Sequence, residues 1–221
     1  MRILITNDDG IHAHGLSVLL RMREVSPGHF AVKGTPTDCV LMGLHKIMAG
    51  GKPDLVLSGV NHGHNIAEDV FYSGTVAGAR EAAIMGIPAI AVSQGFPPGG
   101  RDSIPFACAE THGPRILRGL IDAGVPRDRL LNVNFPGVAP EDVKGVSVTF
   151  QGRRDMSVVS LEERIDGRRR PYFWIRYGST RVTPAAGSDL DAVYNGRISI
   201  TPLQLDLTDS DYKARLDGRF A

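Results

Sequence analysis

The sequence predicts an α/β protein: a doubly wound (Rossmann-like), mainly parallel sheet core with a C-terminal β-hairpin extension. Three observations predict it. The chain has 221 residues, of which 42% are apolar and 22% charged, enough for one sizeable core. Short apolar runs alternate with helical patterns up to about Pro140, the signature of a parallel sheet covered on both faces. Beyond that point, strand-like runs follow one another across glycine-containing turns with no helical pattern between them, which suggests hairpins. The chain is therefore read as a single domain over 1–221, with an α/β core at about 1–140 and the extension at about 141–221.

The core strands are expected at Ile3–Thr6, Leu55–Ser58, Ala89–Ser93 and Leu130–Asn134, each bounded by polar, Gly or Pro residues. A first helix spans about Gly15 to Met22, and Ser26-Pro27-Gly28-His29 reads as a turn. No second buried strand follows, although a doubly wound sheet usually places one there. In GTPTDCVLMGLHKIMAGG, Thr35 is a natural N-cap, Pro36 a first helical residue and Asp38 the first-turn acid. Val40, Leu41, Leu44, Ile47 and Met48 then share a face, and Gly50-Gly51 ends the helix. The next helix starts near Ser73-Gly74-Thr75 and reaches Met85; its Ala77, Gly78, Ala79, Ala82 and Ala83 let it lie close to the sheet. A third covers about Phe106 to Ala123, with a kink or break expected at Pro114. In the last third VKGVSVTFQG, PYFWIRYG and GRISITPLQLDL read as strands, separated by turns such as Asp166-Gly167 and Asn195-Gly196. The Arg168-Arg169-Arg170 run reads as a solvated hairpin tip.

Lys plus Arg number 25 and Asp plus Glu 24, a net charge of +1, so no long-range field draws the protein to a nucleic acid duplex or an anionic membrane. No apolar run approaches the roughly 20 residues that span a bilayer. Cys39 and Cys108 read as buried thiols of a reducing compartment, and the N-terminus as a core strand rather than a leader. The expected location is the cytoplasm.

The chemistry concentrates at the carboxyl ends of the strands, where open α/β sheets bind ligands. Asp8 and Asp9 follow the first strand. Adjacent carboxylates repel unless neutralised, so either the pair holds a hard divalent cation or one Asp caps the next helix while the other faces water. After Leu55–Ser58 comes Gly59-Val60-Asn61-His62-Gly63-His64-Asn65, where Asn61 offers a neutral oxygen to Mg²⁺ or Mn²⁺. His62 and His64 invite a zinc reading, but histidines in a glycine-rich loop more often face solvent. The starts at Gly34-Thr35-Pro36-Thr37 and Tyr72-Ser73-Gly74-Thr75 are either ordinary caps or, facing one carboxylate–metal cluster, a phosphate site.

TNDDGIHAHGL, GTPTDCV, PDLVLSGVNHGHN and DVFYSGTVAGAREAAIMGIPAIAVS resemble, in this order, signature blocks of the SurE survival-protein family, and NVNFP and GSDLDAVYNGRISITPL resemble later family segments. The resemblance implies a divalent-metal-dependent phosphatase, of 5'-nucleotidase type, acting on nucleoside 5'-monophosphates. It extends to 3'-monophosphates and to an exopolyphosphatase side activity. Asp8, Asp9 and Asn61 would ligate one Mg²⁺ or Mn²⁺ per subunit, with Asp8 or Asp9 as the general base. Asn7, Gly34, Thr35, Asn65, Ser73, Gly74 and Thr75 would line the phosphate and substrate pocket. The family assembles as homodimers or homotetramers through C-terminal elements and is generally cytoplasmic. Two departures stand out. The family's usual proline is His14 here. Its second strand and its Ala-Pro-…-Ser-Gly loop, whose serine is a fourth metal ligand, have no counterpart, since Leu19-Leu20-Arg21-Met22 runs directly into REVSPGHFAVKGTPTDC. That block is either deleted or unrepresented in this sequence; if it is deleted, water has to replace the ligand.

Two other readings compete. A covalent aspartyl-phosphate route with Asp8 as nucleophile normally spaces its two acids as Asp-x-Asp, whereas these are adjacent. A non-enzymatic receiver-like signalling domain matches KPDLVLSGVN until the acceptor position, where Ser58-Gly59 stands instead of Asp.

Overall fold

The computed structural model describes residues 1–6, 21–97, 106–154, 159–177 and 183–220. A six-stranded sheet forms the centre. Its parallel part is β1 (Ile3–Thr6), β4 (Leu55–His62), β5 (Ala89–Gln94) and β6 (Arg129–Phe135), side by side in that order. β10 (Ile198–Gln204) then runs antiparallel to β6, and β7 (Val146–Val148) pairs parallel to β10. Strand alternation splits the residues between two cores. On one face Val56, Ala89, Ala91, Leu130 and Leu203 pack with Val40 of α1 (Pro36–Met42) and with Val76, Ala79, Ala82 and Ala83 of α3 (Gly74–Ile84). On the other, Leu55, Ile90, Val92, Val133, Phe135, Ile198 and Ile200 meet Cys108, Ala109 and Ile116 of α4 (Ala107–Ala123). Helices on both faces of a mainly parallel sheet make the expected doubly wound α/β fold.

Several local expectations change. Arg21 and Met22, read as the end of a first helix, belong to β2 (Arg21–Ser26), which pairs with β3 (His29–Lys33) as a separate hairpin across the expected turn. The strand expected at Leu55–Ser58 continues to His62 through a β-bulge: Ser58 faces Ala91 but Asn61 faces Ser93, so Gly59 and Val60 together oppose Val92. Gly59 permits this with φ 126°, and a Cβ there would lie 2.2 Å from the Val92 carbonyl oxygen. The α1 helix gives way after Met42 to a wider-wound turn at Gly43–Ile47. Of the kink or break expected at Pro114, the break does not occur: the helix runs through the proline to Ala123, and Gly113 before it has no Cβ to clash with the ring.

The last third is only partly an extension. β8 (Val159–Ile165) and β9 (Pro171–Tyr177) form an isolated antiparallel hairpin whose turn carries Asp166 to Arg170, as expected of that segment. The other two expected hairpin strands, β7 and β10, join the main sheet instead. Ser199 and Thr201 are as buried as Ile198 and Ile200 around them, so both faces of β10 are covered. The Asn195-Gly196 pair ends a helix rather than linking strands: α5 (Asp189–Tyr194) is capped by Ser188, whose hydroxyl accepts from Asp191 N–H. A last helix, α6 (Ser210–Phe220), has no buried residue.

Candidate active site at the carboxyl ends of the strands

β1 and β4 pair in parallel register up to Thr6 and Ser58, beyond which β4 runs on to His62 against β5. Asn7, Asp8 and Asp9 follow Thr6 but lie outside the described residues, as does His14. The other predicted residues are described. At Gly78 of α3, a Cβ would lie 2.9 Å from Ser58 Oγ and 3.6 Å from both Pro36 Cβ and Thr6 Cγ2. The bare glycine backbone thus lets the end of β1, β4 at Ser58, the start of α1 beside Thr35, and the first turns of α3 close on one another.

Asn61 follows the bulge within β4, half-buried, with its amide turned by an Nδ2–H bond to the Gly63 carbonyl at 2.9 Å. That bond fixes which end of the amide is which and leaves Oδ1 as a neutral oxygen donor with no hydrogen-bond partner among the described residues. Ser73 caps α3: its Oγ accepts from Val76 N–H at 3.0 Å, so its own hydroxyl proton remains to be donated. Gly74 and the buried Thr75 form the first turn behind it. Gly34 and Thr35 start α1, but the Thr35 N–H and hydroxyl both donate to the Asp38 carboxylate at 2.8 Å, a complete capping box.

Asn65 is buried and central to a polar network that sequence reasoning missed. Its Nδ2 donates to Ser93 Oγ at 2.8 Å and its N–H to Asn134 Oδ1 at 2.8 Å; its carbonyl accepts from Asn132 Nδ2 at 2.7 Å and Asn134 Nδ2 at 3.2 Å. Beyond it, Thr149 Oγ1 bonds Ser199 Oγ and Thr201 Oγ1. The signal was present in the strands: Ser58, Ser93, Asn132 and Asn134 occupy, two by two, the positions after Val56, Ala91 and Leu130 on the α1/α3 face. That face is apolar near the strand starts and polar near their carboxyl ends.

Among the described residues neither His62 nor His64 stands in a cluster of metal-binding side chains, and no three His, Cys, Asp or Glu groups converge to hold a metal. His62 is exposed against the Phe96 ring, 5.2 Å between centroids. His64 bonds the Phe135 carbonyl through Nε2 at 3.0 Å. Since a carbonyl only accepts, Nε2 carries a proton. Burial, only partly offset by that bond and by Asp69, lowers its pKa to about 4.

The comparisons with known proteins show the family. The family model described as Survival protein SurE matches residues 21–158. The chain belongs to the SurE family. It is 46% identical over 252 aligned positions to a protein of Methylorubrum extorquens (strain PA1) named 5'-nucleotidase SurE, covering 100% of this chain and 99% of that one. It is 48% identical over 250 positions to the protein of the same name from Rhodopseudomonas palustris (strain HaA2), covering 98% of each. The crystal structure of the SurE protein from Aquifex aeolicus superposes with a TM-score of 0.80 at 37% identity, over 98% of this chain and 88% of that one. The first alignment spans more positions than the 221 residues of this chain, so that relative carries residues with no counterpart here. A missing strand and serine loop would produce such a shortfall.

Proposed function

We propose that this chain is a divalent-metal-dependent phosphatase that hydrolyses nucleoside 5'-monophosphates, extending to 3'-monophosphates and short polyphosphates. One observation carries the reading: the convergence around Gly78 of the end of β1 and Ser58 of β4 with the starts of α1 and α3. Membership of a family whose relatives are named 5'-nucleotidases supports it. Asp8 follows Thr6 by two residues, so chain length alone tethers it within about 7 Å of that strand end. The Asn61 amide, with its oxygen unengaged by the described residues, is the kind of neutral donor a hard cation takes beside carboxylates. Asp8, Asp9 and Asn61 would hold one Mg²⁺ or Mn²⁺ per subunit. When bound, the cation supplies positive charge against the phosphoryl oxygens.

The remaining work belongs to the chain's own groups. The Ser73 hydroxyl donates to a phosphoryl oxygen while its oxygen keeps the α3 cap, and the helix start adds its positive end. Asn7, Asn65, Gly74 and Thr75 line the pocket, and a phosphate oxygen takes the place of the Asp38 carboxylate at Gly34-Thr35. Asp8 or Asp9 accepts a proton of the attacking water as its oxygen bonds phosphorus and the ester P–O bond breaks, and the nucleoside leaves as the alcohol with a proton taken from solvent.

Among the described residues no helix is long and apolar enough to cross a membrane. We place the protein in the cytoplasm, where Cys39 and Cys108 stay thiols. Self-association, as a homodimer or homotetramer, is assigned to the β8–β9 hairpin, which exposes Leu161, Ile165, Phe173 and Trp174. The test is phosphate release from a panel of nucleoside monophosphates with Mn²⁺ or Mg²⁺ and again with chelator. Release that requires the metal is expected; no release from the folded, metal-supplied protein overturns the reading.

A further inference from the structure

We propose that Arg154 and Asp189, from the last third of the chain, are positioning residues that hold the Asn65–Ser73 segment in its phosphate-binding conformation. The inference rests on the reading above, in which Asn65 and Ser73 line the pocket. Between the end of β4 and α2 (Asp69–Tyr72) the chain is irregular, so no sheet ladder fixes it. Groups from far along the sequence do.

Arg154 grips the segment at Asp69 with a two-pronged fork, Nη1 to Oδ1 at 2.6 Å and Nη2 to Oδ2 at 2.7 Å. Its backbone N–H adds the Glu68 carboxylate at 3.1 and 3.0 Å. Asp69 passes the hold on in both directions: Oδ2 accepts from Ile66 N–H at 3.3 Å, and its carbonyl accepts from Ser73 N–H at 2.8 Å. The residue that caps α3 is thus one hydrogen bond from the residue Arg154 grips.

Asp189 holds the other side. Ala67 sits at φ 53°, a left-handed conformation that costs a non-glycine residue about 1 kcal/mol or more and persists only when its surroundings impose it. Its N–H donates to Asp189 Oδ2 at 2.9 Å, and its carbonyl accepts from Gln151 Nε2 at 3.1 Å. Asp189 is fully buried, and its Oδ1 accepts from Gly152 N–H and Leu190 N–H, both at 2.8 Å. One carboxylate therefore joins three separate stretches of chain, and one of them is the segment between Asn65 and Ser73. The Arg154 stretch is itself anchored, since Thr149 bonds Ser199 and Thr201 of β10.

Substitutions separate positioning from bulk stability. Asp189→Asn keeps an oxygen for Gly152 and Leu190 but turns an amide N–H toward the Ala67 N–H, releasing Ala67 selectively. Arg154→Lys keeps the charge without the fork, and Arg154→Met keeps only the stem. Using the full-length protein at saturating Mn²⁺ with AMP as substrate, the quantities to measure are KM, kcat, inhibition by inorganic phosphate, half-activation by Mn²⁺ and Tm. Asp189→Asn and Arg154→Met are expected to raise KM and the phosphate inhibition constant about tenfold, equivalent to about 1.4 kcal/mol, with Arg154→Lys in between. Half-activation by Mn²⁺ is expected to stay within about twofold, because neither residue bonds Asn61, the proposed ligand among the described residues. Folded variants with lowered Tm but wild-type KM and phosphate inhibition would overturn the inference while leaving the phosphatase reading intact. An inactive wild-type protein would overturn both. Should Asp189→Asn fail to fold, the Arg154→Lys and Arg154→Met pair decides by the same criteria.

Discussion

Lowering the pH from 8 to 5 tests the setting of His64, a histidine drawn into the fold beside the proposed site. Its ring is held neutral by burial, with its Nε2 proton given to the Phe135 carbonyl and a pKa of about 4 against 6.5 when free. The folded value is depressed, so its stabilising effect is complete above pH 6.5 and is lost as pH falls toward 4. Down to pH 6.5 little changes. Below it the unfolded chain takes up a proton that the folded chain refuses. Linkage then removes about 2 kcal/mol by pH 5 and about 3 kcal/mol once both states are protonated. For a chain of this size that corresponds to a Tm lower by about 4–8 °C at pH 5. Urea midpoints at pH 8 and pH 5, for the wild-type protein and for His64→Gln, isolate the effect, because Gln can still donate to the carbonyl but does not titrate. The stability difference between the two proteins should shift by about 2 kcal/mol in favour of the variant at pH 5. A difference that stays flat across this range would refute the neutral, buried assignment.

Two further substitutions probe the frame of the site. Gly59→Ala drives a Cβ into the Val92 carbonyl at a bulge with φ 126°, and a loss of about 3 kcal/mol or more in the urea midpoint is expected. Ser73→Ala removes both the α3 cap and the proposed donor. It should cost about 1 kcal/mol of stability and lower kcat/KM by about 10- to 100-fold, whereas Ser73→Thr should retain most of both.

Much of this architecture was legible in the sequence wherever local chemistry and tertiary packing agree. The Thr35-Pro36 start, the Ser73 cap, the small face of α3 and the four parallel strands each carry their own signal. What escaped depended on contacts distant in the chain. The Gly59-Val60-Asn61 run reads as a loop because its glycine suggests one, yet pairing with Ser93 and Gln94 of β5 draws it into the strand. GRISITPLQLDL reads as a hairpin strand because no helical pattern separates it from the strand-like runs before it, yet as β10 it joins the main sheet with Ser199 and Thr201 inside. They are buried because Thr149 satisfies their hydroxyls, a partner 50 and 52 residues away. Asn65 was legible as a pocket residue by resemblance, but not as the hub joining Ser93, Asn132 and Asn134. Ser188-Asp189-Leu190-Asp191 carried a readable cap, overlooked because Asn195-Gly196 suggested a hairpin turn.

A cation-assisted phosphatase site built on Asp8, Asp9 and Asn61 is tested by one paired measurement. Mn²⁺ binding and Mn²⁺-dependent phosphate release from AMP would be followed in the wild-type, Asp8→Asn and Asn61→Ala proteins. The wild type is expected to bind Mn²⁺ and turn over, Asp8→Asn to lose both, and Asn61→Ala to bind more weakly and turn over more slowly. An Asp8→Asn protein with full Mn²⁺-dependent activity would contradict such a site.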